Sequence, residues 1–120
     1  MGALRLLIVD DEPNLLDLLR RYLGRLGYQV ETCGDAQAAL ALFQAEPDRF
    51  GLVITDLSLP GLTGEELIER MRQLRPGFPA IITSGYPYQP RATGVRFLQK
   101  PFLPQMLVET VEKVLKGPAS

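Results

Sequence analysis

Three apolar runs in this chain each end in charged side chains, and their spacing limits the folds that the chain can adopt. The runs are residues 6–9 followed by Asp10 and Asp11, residues 52–55 followed by Asp56, and residues 95–99 followed by Lys100. If all three are parallel central strands, their carboxyl ends meet at one edge of a sheet, where open α/β sheets bind ligands. Three crowded carboxylates repel one another and need a cation, and all-oxygen ligands suit Mg²⁺. A metal, a nucleophilic carboxylate and a nearby lysine together predict a phosphoryl-accepting site.

Strand and helix patterns alternate along the whole chain. The apolar and alternating runs predict five strands, at residues 4–9, 28–33, 50–55, 79–83 and 95–99. Amphipathic runs predict four helices, which begin near Pro13, Asp35, Thr63 and Pro104, and the last of them ends at Gly117 and Pro118. Such βα units with short loops favour an α/β flavodoxin-like fold, a doubly wound five-stranded parallel sheet of strand order 2-1-3-4-5.

One segment interrupts this alternation. Pro87 and Pro90 lie between residues 85 and 94, where a further helix would be expected between the last two strands. A proline in a helix interior removes a backbone donor and clashes with the preceding turn. The fourth of five possible helices is therefore expected to be short or missing.

Composition excludes several classes of function. A length of 120 residues fits a single domain, 1–120, and a net charge of -1 gives no sign of direct nucleic-acid binding. No apolar run approaches the ~20 residues of a membrane span, and no signal peptide is apparent. The single cysteine, Cys33, excludes an internal disulfide and favours a reducing, cytoplasmic compartment. Because histidine is absent, no histidine can act as nucleophile, base or metal ligand.

Four short segments resemble the signatures of the receiver domain of two-component response regulators. They are Val-Asp-Asp-Glu-Pro at 9–13, Asp-Leu-Ser-Leu-Pro-Gly-Leu-Thr-Gly at 56–64, Thr-Ser-Gly at 83–85 and Lys-Pro-Phe at 100–102. They follow the family's order and spacing over nearly the whole chain. The resemblance implies a phosphorelay domain that accepts a phosphoryl group from a histidine kinase or a histidine phosphotransfer domain. The shortened segment 85–94 and residues 97–102 look most like receivers of hybrid sensor histidine kinases.

The resemblance assigns the nucleophile and the metal site. Asp56 would attack the phosphoryl group, and Asp10, Asp11 and Asp56 would hold Mg²⁺ together with the backbone carbonyl of Ser58. Lys100 would neutralise the phosphoryl charge, and the family's Lys-Pro bond, here to Pro101, is commonly cis. Taken singly, these residues have simpler interpretations: a carboxylate that begins a turn, an acidic pair that compensates a helix dipole, and a solvated lysine.

Two further positions correspond to the family's switch residues. Ser84 would donate its hydroxyl to a phosphoryl oxygen, although a serine in a turn is the simpler interpretation. Phe97 occupies the position of the switch aromatic, and packing in the strand core is about as good an explanation. Because Phe97 lacks the hydroxyl of the commoner tyrosine, it cannot make a switch hydrogen bond.

Alternatives from other classes remain open at this point. A haloacid-dehalogenase-like phosphatase also uses an aspartate and Mg²⁺, but it needs a second aspartate where Ser58 lies. A flavodoxin-like electron carrier needs a hydroxyl-rich loop after the first strand, where this chain has Asp10-Asp11-Glu12. A degenerate receiver that acts only as a docking module would not need both Asp56 and Lys100. The domain is expected to be a monomer that catalyses its own phosphorylation and dephosphorylation rather than turning over a metabolite.

Overall fold

Strands and helices alternate along residues 5–116, the part of the chain that this computed structural model describes. The strands are β1 (Arg5–Val9), β2 (Gln29–Cys33), β3 (Phe50–Asp56), β4 (Ala80–Ser84) and β5 (Val95–Gln99). The helices are α1 (Pro13–Arg25), α2 (Ala36–Ala45), α3 (Gly64–Leu74) and α4 (Pro104–Lys116), and a 3-10 turn at Pro47–Arg49 precedes β3. The predicted elements are confirmed, and most of their ends lie within one or two residues of the predicted ones. The expected strand start at Leu4 and helix stop at Gly117 and Pro118 lie outside the described residues.

The five strands form one parallel sheet in the order β2-β1-β3-β4-β5, which confirms the flavodoxin-like arrangement. Val9 of β1 is in register with Thr55 of β3, so Asp10 and Asp56 leave the sheet side by side. β5 lies at the sheet edge, as the predicted order requires, so only β1 and β3 of the three runs with charged ends are central strands. Ser84 at the end of β4 is in register with Gln99, so Lys100 still follows directly at the same end of the sheet.

Helices cover both faces of the sheet, and the sheet separates the core into two layers. Alternate residues of the buried strands point to opposite faces, as the pleat requires. One layer joins Leu7 and Val53 to Phe43 of α2 and Met71 of α3. The other joins strand residues to side chains of α1 and α4, namely Leu6, Ile8, Leu52, Ile54, Ile81, Leu19, Leu23, Leu107 and Val111. The fold thereby holds the carboxyl ends of β1, β3 and β4 in a rigid frame.

Local sequence signals determine where the helices begin and end. Asp35 accepts a hydrogen bond from the Ala38 N–H at 2.8 Å, and so it caps α2 as predicted. Thr63 and Glu66 form the reciprocal capping box at the start of α3. Gly27 has a φ of 97° directly after α1, a left-handed conformation that glycine adopts without strain.

The segment between β4 and β5 contains no helix, as its prolines predict. Its far end is attached to α3 by Arg72, whose guanidinium donates to the Phe78 carbonyl at 3.0 Å and to the Thr93 carbonyl at 2.8 Å. Its middle is attached by Tyr88, whose phenol donates to a carboxylate oxygen of Glu65. Within the described residues, the helices are too short or too polar to cross a membrane.

Candidate functional site

Three aspartates converge at the carboxyl ends of β1 and β3. One carboxylate oxygen from each of Asp10, Asp11 and Asp56 lies within 4.8 Å of the others. Asp10 is buried, Asp56 is partly buried and Asp11 is exposed, so the cluster runs from the protein interior to solvent. Parallel strands with adjacent ends bring these side chains together, as the sequence predicts.

Backbone hydrogen bonds orient two of the carboxylates. Asp10 Oδ1 accepts the Glu12 N–H at 2.9 Å, and this bond ties the buried side chain to the connection between β1 and α1. Asp56 Oδ1 accepts the Ser58 N–H at a longer 3.3 Å. Among the described residues, no side-chain hydrogen bond or ion pair engages the carboxylate of Asp11, which is an exposed residue.

Lys100 bridges the two inner carboxylates. Its Nζ lies 2.6 Å from Asp10 Oδ2 and 3.2 Å from Asp56 Oδ2. Its backbone N–H donates to the Ser84 carbonyl at 2.8 Å, and the Lys100–Pro101 peptide bond is cis. Burial lowers the pKa of the Lys100 ammonium, but hydrogen bonds and charge attraction from Asp10 and Asp56 raise it by more, so the pKa lies above its ordinary value. The ammonium therefore stays charged at neutral pH.

The cluster fits a divalent cation by its charge and its donor atoms. Three carboxylates and one ammonium leave two negative charges in a small volume. An ionised carboxylate offers about four lone-pair sites, and the hydrogen bonds described above occupy only some of them. Hard oxygen donors of this kind suit Mg²⁺ better than softer metals. Ser58 lies exposed beside Asp56, within reach of the same region through its bond to Oδ1.

Ser84 is buried at the end of β4, and its hydroxyl is already oriented. Its Oγ accepts the Tyr86 N–H at 3.0 Å. A hydroxyl has one proton and two lone pairs, so this bond leaves the proton available for another acceptor. Because the Ser84 carbonyl also accepts the Lys100 N–H, this backbone hydrogen bond fixes the two residues relative to each other.

Gly64 allows α3 to approach the turn that carries Asp56. Its N–H donates to the Leu57 carbonyl at 2.8 Å. A Cβ built on Gly64 would lie 3.1 Å from Leu57 Cα and 3.2 Å from the Asp56 carbonyl carbon, and it would clash with the Asp56 carbonyl oxygen. Glycine is therefore required at this position for packing.

Phe97 lies outside the charged cluster, in the layer of core that contains α2 and α3. Its ring meets that of Tyr88 edge-on, with the centroids 6.0 Å apart at an interplanar angle of 66°. Sequence reasoning missed the partnership of Tyr88 with Glu65, which joins residues far apart along the chain. The only available signal was the pair of prolines, which shows that the segment is not helical but not where it packs.

The chain matches known proteins over most of its described length. A family model, the response regulator receiver domain, matches residues 6–112. FixJ, a transcriptional regulatory protein of Bradyrhizobium diazoefficiens, is 34% identical over 116 residues, which are 91% of this chain and 55% of FixJ. This chain spans about half the length of FixJ and smaller shares of the plant response regulators that it also matches.

Solved receiver structures have the same fold. The receiver domain of the hybrid histidine kinase CckA is 32% identical, with a TM-score of 0.84 over 92% of this chain and 98% of that one. The response regulator TrrA of Thermotoga maritima, crystallised with Mg(2+)-BeF, is 30% identical, with a TM-score of 0.81 over 93% of this chain and 99% of that one. The match to CckA agrees with the resemblance to hybrid-kinase receivers. With its fold, its acidic cluster and these relatives, the chain belongs to the response regulator receiver domain family, the phosphoacceptor domains of two-component signalling.

Proposed function

We propose that Asp56 accepts the phosphoryl group, from a phosphohistidine of a histidine kinase or a histidine phosphotransfer domain. The observation that carries this is the position of Lys100 Nζ between Asp10 and Asp56, inside a cluster of three carboxylates. An Asp56 carboxylate oxygen attacks phosphorus while the bond from phosphorus to the histidine nitrogen breaks. That nitrogen keeps the bonding electron pair, and the product is an aspartyl phosphate.

Residues around Asp56 stabilise the charge of the transferred group. Lys100 supplies a cation that stays protonated, and Ser84 donates its free hydroxyl proton to a phosphoryl oxygen. Asp10, Asp11 and Asp56, with the Ser58 carbonyl, would hold Mg²⁺. Bound there, the ion would neutralise oxygens of the phosphoryl group.

The partner is proposed to dock as a histidine-bearing helix beside α1. Both α1 and α4 pack on the same face of the sheet. Three apolar side chains on α1 and at the start of α4 stay exposed, Leu18 by 51%, Leu103 by 61% and Met106 by 41%. Exposed apolar side chains of this kind are what a helical partner would cover. Leu103 follows Lys100 closely in the chain, so such a partner would reach Asp56.

Intact mass after incubation with acetyl phosphate and Mg²⁺ tests the nucleophile. The parent protein should gain one phosphoryl group, and Asp56→Asn should gain none. Asp48→Asn is the matched control, since Asp48 is an exposed carboxylate in the 3-10 turn, and it should react like the parent. A full phosphoryl mass on Asp56→Asn would refute the assignment.

Two further measurements separate the alternatives. A haloacid-dehalogenase-like phosphatase would release phosphate from phosphomonoesters over many turnovers, whereas this domain should leave phosphomonoesters intact and gain at most one phosphoryl group per chain from an acyl phosphate. A docking-only module would give no adduct with any donor. Sedimentation should find a monomer before and after treatment with beryllofluoride, because the segment 85–94 lacks a helix with which to dimerise. A tight activated dimer through residues 86–97 would contradict the monomer proposal.

A further inference from the structure

The residues after Ser84 are linked to the start of α3 through one side chain. The Tyr88 phenol donates to the Glu65 carboxylate, and the Tyr88 ring packs edge-on against Phe97. Burial and the hydrogen bond to Glu65 raise the pKa of Tyr88 to about 12, so the phenol remains a donor throughout the physiological range. Glu65 is half-buried in the first turn of α3, a helix that is itself packed in the core. Tyr88 is therefore held by a rigid element.

The backbone that connects Tyr88 to Ser84 is restricted at Tyr86 and Pro87. Pro87 has a fixed φ and restricts Tyr86 before it to extended conformations. The position of Tyr88 thus constrains the N–H of Tyr86. That N–H donates to Ser84 Oγ at 3.0 Å. Gly85, the residue between, has no side chain to restrict it, so without an anchor at Tyr88 little else would hold the Tyr86 N–H in place.

We propose that Tyr88 is a positioning residue for phosphoryl transfer, which acts through the Tyr86 N–H to fix the hydroxyl of Ser84. With one lone pair of Oγ occupied by the Tyr86 N–H, the hydroxyl proton cannot point to that side and stays available for a phosphoryl oxygen on Asp56. Glu65 holds Tyr88 for this purpose. This inference rests on the proposed function and adds two residues, Glu65 and Tyr88, that do not touch the reacting atoms.

The alternative explanation of Tyr88 is that its ring only fills space against Phe97. A phenylalanine would fill that space equally well, since the two rings differ only by the hydroxyl. Phe97 has no polar group of its own, so the only polar link between this aromatic pair and α3 is the Tyr88 hydroxyl. The two explanations therefore differ in what Tyr88→Phe should do.

A double-mutant cycle on the phosphorylation rate separates positioning from packing. The rate constant for phosphorylation by acetyl phosphate with Mg²⁺ is measured for the parent, Tyr88→Phe, Ser84→Ala and the double variant. Without its bond to Glu65, Tyr88 no longer fixes the Ser84 hydroxyl. The Tyr88→Phe protein should therefore react roughly five-fold more slowly, the equivalent of ~1 kcal/mol for a partial loss of the hydrogen bond from Ser84 to a phosphoryl oxygen. In the Ser84→Ala background the same change should have no effect, because the hydroxyl that it positions is gone.

Variants of Glu65 provide a second test on the other partner. Glu65→Gln keeps an acceptor oxygen for the phenol and should retain most of the parent rate, whereas Glu65→Ala should match Tyr88→Phe. Glu69→Ala is the matched control, because Glu69 is an exposed carboxylate one turn later on the same helix. It should react like the parent.

The outcomes distinguish this inference from the proposed function beneath it. If the parent protein gains no phosphoryl group, the proposed function fails first. If the parent reacts and Tyr88→Phe reacts at the same rate, the inference is wrong and the function stands. An equal slowing by Tyr88→Phe with and without the Ser84 hydroxyl would also overturn it, since the effect would then not pass through Ser84.

Discussion

Gly64→Ala should damage both the stability and the site of this domain, because α3 approaches the turn at Asp56 too closely for a side chain. The added Cβ would clash with the Asp56 carbonyl oxygen and lie 3.1 Å from Leu57 Cα. Both neighbours are backbone atoms, which cannot rotate away as a flexible side chain would. Relief therefore requires a shift of the α3 start or of the backbone at Asp56 and Leu57.

The net cost combines two opposed terms. Overpacking a closely packed position costs ~1–3 kcal/mol, while alanine in place of glycine gains ~0.5–1 kcal/mol in a helix. The difference spans ~0–2.5 kcal/mol, and because the Cβ would meet backbone atoms that cannot rotate away, the upper part of that range, ~1–2 kcal/mol of destabilisation, is expected. For a domain of this size that corresponds to a fall in Tm of roughly 4–8 °C. Phosphorylation of Asp56 should also slow, since its backbone must move.

Gly24→Ala provides the matched control for the helix term. Gly24 lies near the end of α1, and an added Cβ there would meet nothing within 4 Å. This variant should gain ~0.5–1 kcal/mol and melt slightly above the parent. Thermal unfolding followed by circular dichroism measures both. If Gly64→Ala melts at or above the parent temperature, the packing argument fails.

Three other predictions concern metal, thiol and phenol. Mg²⁺ at ten times its Kd should stabilise the domain by ~1.4 kcal/mol, and Asp11→Ala should lose most of that gain. A Tm that does not change when Mg²⁺ is added would contradict the metal site. Burial, followed by the negative charges of Asp35 and Glu31, raises the pKa of Cys33 to about 11. A thiol reagent at neutral pH should therefore label Cys33 only as fast as the domain unfolds. Fast labelling of the native protein would contradict this prediction. The Tyr88 pKa is raised from 10.0 to about 12, so its bond stabilises the fold fully below pH 10 and is lost as pH rises toward 12. The stability gap between parent and Tyr88→Phe in urea should therefore close over that interval, and a constant gap would refute it.

The sequence predicts the charged cluster well because the cluster depends on strand ends. Apolar runs identify buried strands, and parallel strands place their carboxyl ends at one edge. The side chains that follow, Asp10, Asp56 and Lys100, then have little freedom in where they lie. Register completes the argument, since Val9 pairs with Thr55 and Ser84 with Gln99.

Contacts that depend on irregular backbone were not predictable in the same way. Pro87 and Pro90 exclude a helix, but no pattern in the sequence places the segment over α3. The bond from Tyr88 to Glu65 and the tether from Arg72 to the Thr93 carbonyl become visible only in three dimensions.

The unequal contacts of Lys100 fit the proposal that Asp56 reacts while Asp10 stays fixed. Its Nζ is 2.6 Å from Asp10 and 3.2 Å from Asp56. The side chain of Asp10 is 4% exposed and that of Asp56 is 15% exposed. Breaking the buried pair with Asp10 would leave an uncompensated charge in the interior, whereas the longer contact to Asp56 can be exchanged for one to a phosphoryl oxygen. Asp10 thus anchors the cation, and the more exposed Asp56 is the carboxylate that we propose as the phosphoacceptor.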